Sequence, residues 1–539
     1  MLPTFAVLGA LSVLFLPFGF RDLPTADHMG HEAQHLGWLN SMTHGCLPFA
    51  DCGFIYGPLR EVSIFALSRG FGGLTLEHVR MSHIALTSVG VLLLIACLRT
   101  ISGNLVTFLS ATWLLLFHTA LVSFVVYDGT YSLGWSDTLR AALPCAALVF
   151  GLRAGTSPLR IWAAGIAAGL SCLYSHDFGF LAIGAGAVGA LVQGWLVPGT
   201  QGARARSATL HALRFVGGAS AVLLTFALAY AAAGRGPRLL AALRWVLLVA
   251  SGKAAFAREP FPIFPDTFVR LVSLYERIEP ANSLGTTRAD YLFAPLIPLA
   301  AAPILARRFA SALRSLEGTA SLPRFIALAL FAALVFRHPF MSADGWHLAN
   351  ATAPSLLVLA MLLSETDSRQ RWASTWRGSV AAAITLLWTA AGAHVPLAHR
   401  VERLTSGQEH PSRGPRFVYR DLERAGDVSI PVATLGDVRA LREATGPDGT
   451  LFATTWMLGG GLEAFLVGRP NPTGIDVPHE VASPAQQADL LRRMQAHPPT
   501  IIYGSSFEYF GPQVQRYIEA NWVTIEGARL APMRRYHGE

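Results

Sequence analysis

Apolar runs close to the length of a bilayer crossing recur through the first three quarters of this chain, and nothing else in the sequence constrains its fold as strongly. A helix needs about 20 predominantly apolar residues to cross the hydrocarbon core. Within lipid its backbone polar groups must be satisfied internally, which favours helices over open sheets. Eleven such runs are expected, near 3–20, 78–98, 104–126, 138–152, 159–175, 177–197, 214–233, 290–306, 325–339, 348–363 and 378–395. Hydrophobic residues make up 52% of the chain and charged residues only 14%. The fold class expected is therefore an α-helical polytopic membrane protein with about 11 transmembrane helices and a small C-terminal α/β domain. The run Pro3 to Phe20 has no basic n-region and no small-x-small cleavage site, so it reads as a retained anchor. The stretch 58–71 is apolar but short and carries Arg60, Glu61 and Arg69, which suits an interfacial helix.

Arginine assigns the two sides. One set of short connections holds Arg99, then Arg153 and Arg160, then Arg204, Arg206 and Arg214. The set continues with Arg307, Arg308, Arg314 and Arg324, then Arg369, Arg371 and Arg377. The alternate connections 127–137 and 175–178 hold no arginine. The positive-inside rule makes the first set cytoplasmic and puts the N-terminus inside and the region from about 397 outside; the location expected is a bacterial inner membrane, crossed many times. The net charge of +8 has the same origin and does not point to a nucleic-acid partner. With this sidedness Asp27 to His35, Asp51, Asp128, Asp137, His176, Asp177, Arg337, His338, Asp344 and His347 all fall at the outer face. Ionisable groups at membrane depth are candidates for function, and these converge from separate connections.

Two domains are expected: a transmembrane unit over 1–396 with outer loops 21–77 and 234–289, and a soluble extracytoplasmic unit over 397–539. In the second, Asp437 to Ala444 and Gln486 to Ala496 read as helices, and Thr450 to Thr455 and Thr500 to Tyr503 as strands. Gly459-Gly460-Gly461 lacks the spacing of a nucleotide fingerprint and reads as a turn. Cys97, Cys145 and Cys172 lie in apolar runs, whereas Cys46 and Cys52 share one exported loop, where a local disulfide is an option.

The segment after the first run, Asp27-His28-Met29-Gly30-His31-Glu32-Ala33-Gln34-His35, supports two readings. His31-Glu32-x-x-His35 satisfies HExxH, in which two histidines on one helical face bind zinc and the glutamate is general base. The positions where a metzincin has Gly and a third His are Trp38 and Ser41, and Glu61 is the downstream candidate for a third ligand. On this first reading the chain is a membrane zinc metallohydrolase using His31 and His35; a transport or non-catalytic role is a further option.

The second reading uses the longer stretch Gly45-Cys46-Leu47-Pro48-Phe49-Ala50-Asp51 and Tyr56-Gly57-Pro58. With Asp27 upstream, this resembles the first outer loop of GT-C-type membrane glycosyltransferases, the class of the protein mannosyltransferases and lipid A aminoarabinose transferases. Arg337-His338 through Asp344 and His347 resembles a later feature of the same class. Where those loops carry an adjacent acidic pair, this chain has Asp27-His28, with the second acid displaced to Glu32. The resemblance implies inverting transfer of a sugar from a polyprenyl-phosphate donor to a lipid, glycan or protein acceptor outside the cytoplasm, among membrane lipids. It implies Asp27 as the first and Glu32 as the second candidate for the carboxylate base. It also implies substrate contacts from His28, Asp51, Tyr56, His176, Asp177, Arg337, His338 and His347, with the Arg337 fork best matched to phosphate. Some members of the class use a divalent metal and others do not, so the resemblance commits to no cofactor.

Overall fold

In the computed structural model of the chain, the described residues are 26–52, 57–116, 138–152, 157–250, 288–315, 320–336, 345–364, 371–388 and most of 422–537. The described helices of the first part are α1 (Ala26–Thr43), α2 (Pro58–Gly70), α3 (Leu76–Ile101), α4 (Leu105–Leu115), α5 (Thr138–Gly151), α6 (Pro158–Tyr174) and α7 (His176–Trp195). They continue with α8 (Gln201–Ala232), α9 (Gly236–Ala250), α10 (Arg288–Ser315), α11 (Leu322–Val335), α12 (Gly345–Ser364) and α13 (Arg371–Trp388). The last part runs α14 (Val432–Thr445), β1 (Leu451–Ala453), α15 (Gly460–Val467), α16 (Pro484–Ala496), β2 (Ile501–Tyr503), α17 (Pro512–Asn521), β3 (Trp522–Ile525) and β4 (Met533–Tyr536).

Among the described residues, four stretches are long and apolar enough to cross a membrane: Leu76–Ile101, His176–Trp195, Gln201–Ala232 and Ala294–Arg314. Leu105–Leu115, Thr138–Gly151, Leu322–Val335 and Asn350–Ser364 are shorter apolar helices. Their starts follow local chemistry. Thr75 caps α3 by accepting from the His78 amide at 3.1 Å, and Asn104 caps α4 by accepting from the Thr107 amide at 2.8 Å. Helix α8 begins 13 residues before the hydropathic run at 214–233, because Thr200 caps it and Arg204 and Arg206 continue the same helix. Small residues let α6 and α8 meet backbone to backbone: a Cβ on Gly165 would lie 1.9 Å from the Phe215 carbonyl oxygen. The apolar core of this part gathers Leu148, Phe178, Phe325, Leu328, Phe331 and Leu357, all essentially buried.

The last part is a four-stranded sheet in the order β1-β2-β4-β3. Strands β1 and β2 pair in parallel, with Phe452 opposite Ile502, and β4 runs antiparallel to both β2 and β3. Central β2 is buried on both faces, as its unbroken Ile501-Ile502-Tyr503 run suggests. Ile501 and Tyr503 face one core, shared with Leu36 and Leu39 of α1 and Ile64 of α2. Ile502 and Phe452 face the other, with Met494 of α16 and Ile518 of α17. The helices and strands expected in this region occur within a few residues of their predicted positions. The glycine run does not form a turn as expected: Gly460 and Gly461 open α15.

Candidate functional site

Helix α1 carries the HExxH string and is buried along its length from Glu32 to Ser41, polar residues included. One face turns to α2 and α3. Glu32 accepts from both Arg80 Nε and Arg80 Nη2 at 2.6 Å, a two-point fork between side chains that are both within 2% of complete burial. One turn further on, His35 Nδ1 and Glu61 Oε1 are 2.8 Å apart, and the His35 ring meets Trp38 edge-on. Arg60 and His83 are buried beside them, with His83 in electrostatic range of both Arg60 and His35. Six ionisable side chains from three helices therefore share one buried layer, in which Glu32–Arg80 and His35–Glu61 are the opposite-sign pairs and Arg60 and His83 lie alongside.

This layer bears on the zinc reading. A general base must reach the group whose proton it takes, and the buried Glu32 carboxylate is turned with both oxygens onto the Arg80 fork. Glu61, the candidate third ligand, instead hydrogen-bonds to His35. Among the described residues no group of three His, Cys, Asp or Glu side chains is placed to hold a metal ion. Of the described donors, Glu32 is held by Arg80 and His35 by Glu61, and this arrangement gives the metallohydrolase no support. The fork likewise changes the setting of Glu32 as a base for sugar transfer. Asp27 and His28 lie in the first turn of α1; their side chains, and that of His31, are outside the described residues.

The opposite face of α1 is held by the C-terminal part. Gly461 of α15 sits so close that a Cβ there would lie 2.0 Å from the Ala33 carbonyl oxygen. Asn40 Nδ2 donates to the Arg469 carbonyl at 2.8 Å, Ser41 Oγ donates to Asp476 at 2.8 Å, and Arg424 Nη1 donates to Asn40 Oδ1 at 2.6 Å. The residues Ala33, Gly37, Asn40 and Ser41 follow a helical stripe, whereas Glu32, His35 and Leu39 follow the other. Burial raises the Asp476 carboxyl above its ordinary range, against hydrogen bonds from Asn471 and Ser41 that lower it.

The Gly45–Cys52 loop is a compact knot. Cys46 and Cys52 are joined by a disulfide, Leu47 donates its amide to Asp51 at 3.2 Å, and Phe49 has a φ of +66°. Such a φ is strained for an aromatic residue and persists where the surroundings fix it. Here the ring is buried with Trp38, Cys52 and Leu239. Asp51, expected to contact substrate, accepts from Arg235 Nε at 2.8 Å and from Arg238. Burial pushes its carboxyl up, but the hydrogen bonds from Arg235, the Leu47 amide and Arg238 prevail and hold it below the usual range. The Arg493 guanidinium donates to the Asp51 carbonyl at 3.2 Å, so the C-terminal part reaches this loop as well.

His176 and Asp177 begin α7 directly beneath the knot, with the His176 ring 6.1 Å from that of Phe49. Asp177 is ion-paired with Arg140 of α5, which also donates to Ser175 at 2.8 Å and lies over the Phe178 ring. The Tyr-Gly-Pro step is explained by the same approach: a Cβ on Gly57 would meet the Leu173 carbonyl oxygen at 2.0 Å, and Pro58 occupies the first turn of α2. Asp51, His176 and Asp177 are thus brought together at one end of the bundle with α1. Tyr56, Arg337, His338 and Asp344 lie outside the described residues, as do Asp128 and Asp137. His347 falls in the first turn of α12, its side chain likewise outside. Arg80, Arg140, Arg235 and Arg238 were not expected here. Arg80 and Arg140 each stand in the first turn of an apolar run, and an ionisable residue in that position was the available signal.

No family model matches the chain, and no curated protein sequence does. Among solved structures, ArnT from Cupriavidus metallidurans bound to undecaprenyl phosphate matches with a TM-score of 0.50 at 12% identity, over 98% of this chain and 97% of that one. The oligosaccharyltransferase AglB from Archaeoglobus fulgidus, in complex with an inhibitory peptide and a dolichol-phosphate, gives 0.45 at 13% identity over 88% of this chain. This chain spans 65% of the AglB length. The ArnT match extends over nearly the whole of both chains, and the fold is of the GT-C type.

Proposed function

We propose that this GT-C-type membrane protein is a glycosyltransferase that moves a sugar from a polyprenyl-phosphate donor to an acceptor hydroxyl on the extracytoplasmic side, with inversion. The observation that carries the reading is the full-length likeness to a structure bound to undecaprenyl phosphate, combined with α1 and the Cys46–Cys52 knot meeting at one end of the bundle. In the proposed step Asp27 takes the acceptor proton as the oxygen attacks the anomeric carbon. The sugar–phosphate bond breaks and the polyprenyl phosphate leaves with the electron pair. Arg337, His338 and His347 supply the positive charge that leaving phosphate needs. His28, Tyr56 and His176 are proposed substrate contacts. Asp51 and Asp177, in our reading, act by holding the Arg235–Arg238 junction and Arg140 in place around the substrate.

The proposed topology has eleven spans, a cytoplasmic N-terminus and an extracytoplasmic C-terminal unit. Contacts of α1 with Arg424, Arg469 and Asp476 support it. Ten expected spans separate the two regions, and an even number returns the chain to the side it left.

The test is transfer by the purified full chain in lipid nanodiscs, offered a panel of undecaprenyl-phosphate-linked sugars, with release of undecaprenyl phosphate measured. Wild type is expected to consume at least one donor, and Asp27→Asn to lose activity by about 10³-fold or more, the scale of general-base loss with its positioning role. A chain that neither turns over nor binds any of these donors refutes the reading. His35→Ala abolishing activity while Asp27→Asn stays active would return the zinc chemistry to the front.

A further inference from the structure

We infer that Glu32 and Arg80 are positioning residues: their buried fork, with the His35–Glu61 pair one turn along, is the mount that fixes helix α1 and thereby the carboxylate in its first turn. The inference rests on the reading of Asp27 as the base. Three observations lead to it. The fork is two-point, at 2.6 Å on each oxygen, and joins α1 to α3, whereas His35–Glu61 joins α1 to α2 at 2.8 Å. Two struts to two different helices, leaving one face of α1 three residues apart, fix both its rotation and its slide along the axis. The other face is closed by Gly461 against the Ala33 carbonyl and by the Asn40 and Ser41 hydrogen bonds, so α1 has no side on which to relax.

The chemistry of the fork argues against the remaining role for Glu32. Both Glu32 oxygens are turned to the Arg80 guanidinium at 2.6 Å in a buried layer, so the carboxylate is aimed at Arg80 and not at a reacting group. A mere filler would not need these groups. Apolar residues of similar volume commonly serve a buried site as well as an ion pair does. What a forked pair adds is direction, and transfer chemistry is sensitive to it: about 1 Å of misplacement can lower a rate by roughly 10²-fold. Asp27 stands five residues before Glu32, about 7.5 Å along the helix axis, so a small tilt at the fork is carried to the first turn.

The experiment uses the full chain in nanodiscs and the double variant Glu32→Met/Arg80→Met, which removes both charges together while keeping volume. Glu32→Gln/Arg80→Gln serves as a second variant if the first does not fold. The expected result is donor KM within about twofold of wild type, kcat lower by about tenfold to hundredfold, and an unchanged acid limb in the pH–rate profile. Loss of all activity together with that limb makes Glu32 the base and overturns the inference. An unchanged kcat makes the pair a filler and overturns it too. Hydrogen exchange of residues 26–31 is measured in parallel. Protection there should fall by about tenfold in the double variant, and unchanged protection refutes the mount. This second arm stands even if wild type shows no transfer, an outcome that would count against the proposed function and not against the mount.

Discussion

Replacing Gly461 by alanine should loosen the C-terminal unit from α1. The added Cβ would meet the Ala33 carbonyl oxygen at 2.0 Å and the Ala33 carbonyl carbon at 2.7 Å, where ordinary contact begins at 3.4 Å. The obstacle is backbone of a buried helix and cannot rotate away, so α15 and α1 must part by about 1.4 Å at this point, the shortfall from ordinary contact. The hydrogen bonds Asn40–Arg469 and Ser41–Asp476, both at 2.8 Å, cross the same interface and would be stretched toward breaking. Overpacking of this kind costs about 1–3 kcal/mol, and each hydrogen bond lost adds about 0.5–1.5 kcal/mol. Alanine's better helix propensity returns up to about 1 kcal/mol. The net expectation is about 1–6 kcal/mol, or at least about fivefold faster exchange. The assay is hydrogen exchange with mass spectrometry on the full chain in nanodiscs, reading peptides over 33–41 and 460–467 against 105–115 as internal reference. Gly436→Ala is the control: it is also helical, nothing lies within 4 Å of its added Cβ, and it should be neutral or stabilising. If Gly461→Ala leaves both peptides as protected as in wild type, the close approach of the two helices is refuted.

Other perturbations test separate parts of the same end. Glu463 is wholly buried in α15, no other described residue hydrogen-bonds to its carboxylate, and burial pushes its carboxyl well above the ordinary range, its own backbone amide pulling it down and the nearby Asp437 adding to the rise. A raised carboxyl favours the docked state at low pH, and that contribution is lost as pH rises from the ordinary carboxylate range through the raised value. Apparent melting temperature in nanodiscs should therefore fall from pH 5 to pH 8. Glu463→Gln should flatten that slope, with Asp476→Asn removing part of the remainder because its carboxyl is also raised by burial. Gly57→Ala forces a Cβ to within 2.0 Å of the Leu173 carbonyl oxygen and should destabilise by about 1–3 kcal/mol, measured as a lower melting temperature and faster exchange over 57–64.

Hydropathy made the apolar helices legible because the bilayer rewards composition alone. The local elements of the C-terminal unit were legible too: the unbroken apolar run at Ile501-Ile502-Tyr503 and the helical pattern of Gln486–Ala496 need no distant partner to be read. Helix α1 was hidden in what looked like an outer loop. A helix buried on two opposite faces shows no amphipathic stripe, and its polar residues are satisfied by groups 26 to 435 positions away. Arg80 was absorbed into an apolar run, and its partner Glu32 lies 48 residues earlier, so neither residue announces the pair. Gly461 was read as turn chemistry, whereas its small size serves contact with the Ala33 backbone. Strands β3 and β4 are four residues each and partly exposed, too short to stand out from a loop.

The clamping of α1 also sets an order of events during synthesis. Its first partners, Glu61 and Arg80, emerge soon after it, but Asp476 follows Ser41 by 435 residues. At about 5–20 residues per second, this leaves the second face of α1 uncovered for on the order of 20–90 s. During that interval a helix bearing Ala33, Gly37, Asn40 and Ser41 waits with its final neighbours still unmade. The early struts to α2 and α3 are then what keeps it from wandering. A chain that loses them would meet its quality control before its last domain exists, and the defect would show first as low yield of mature protein.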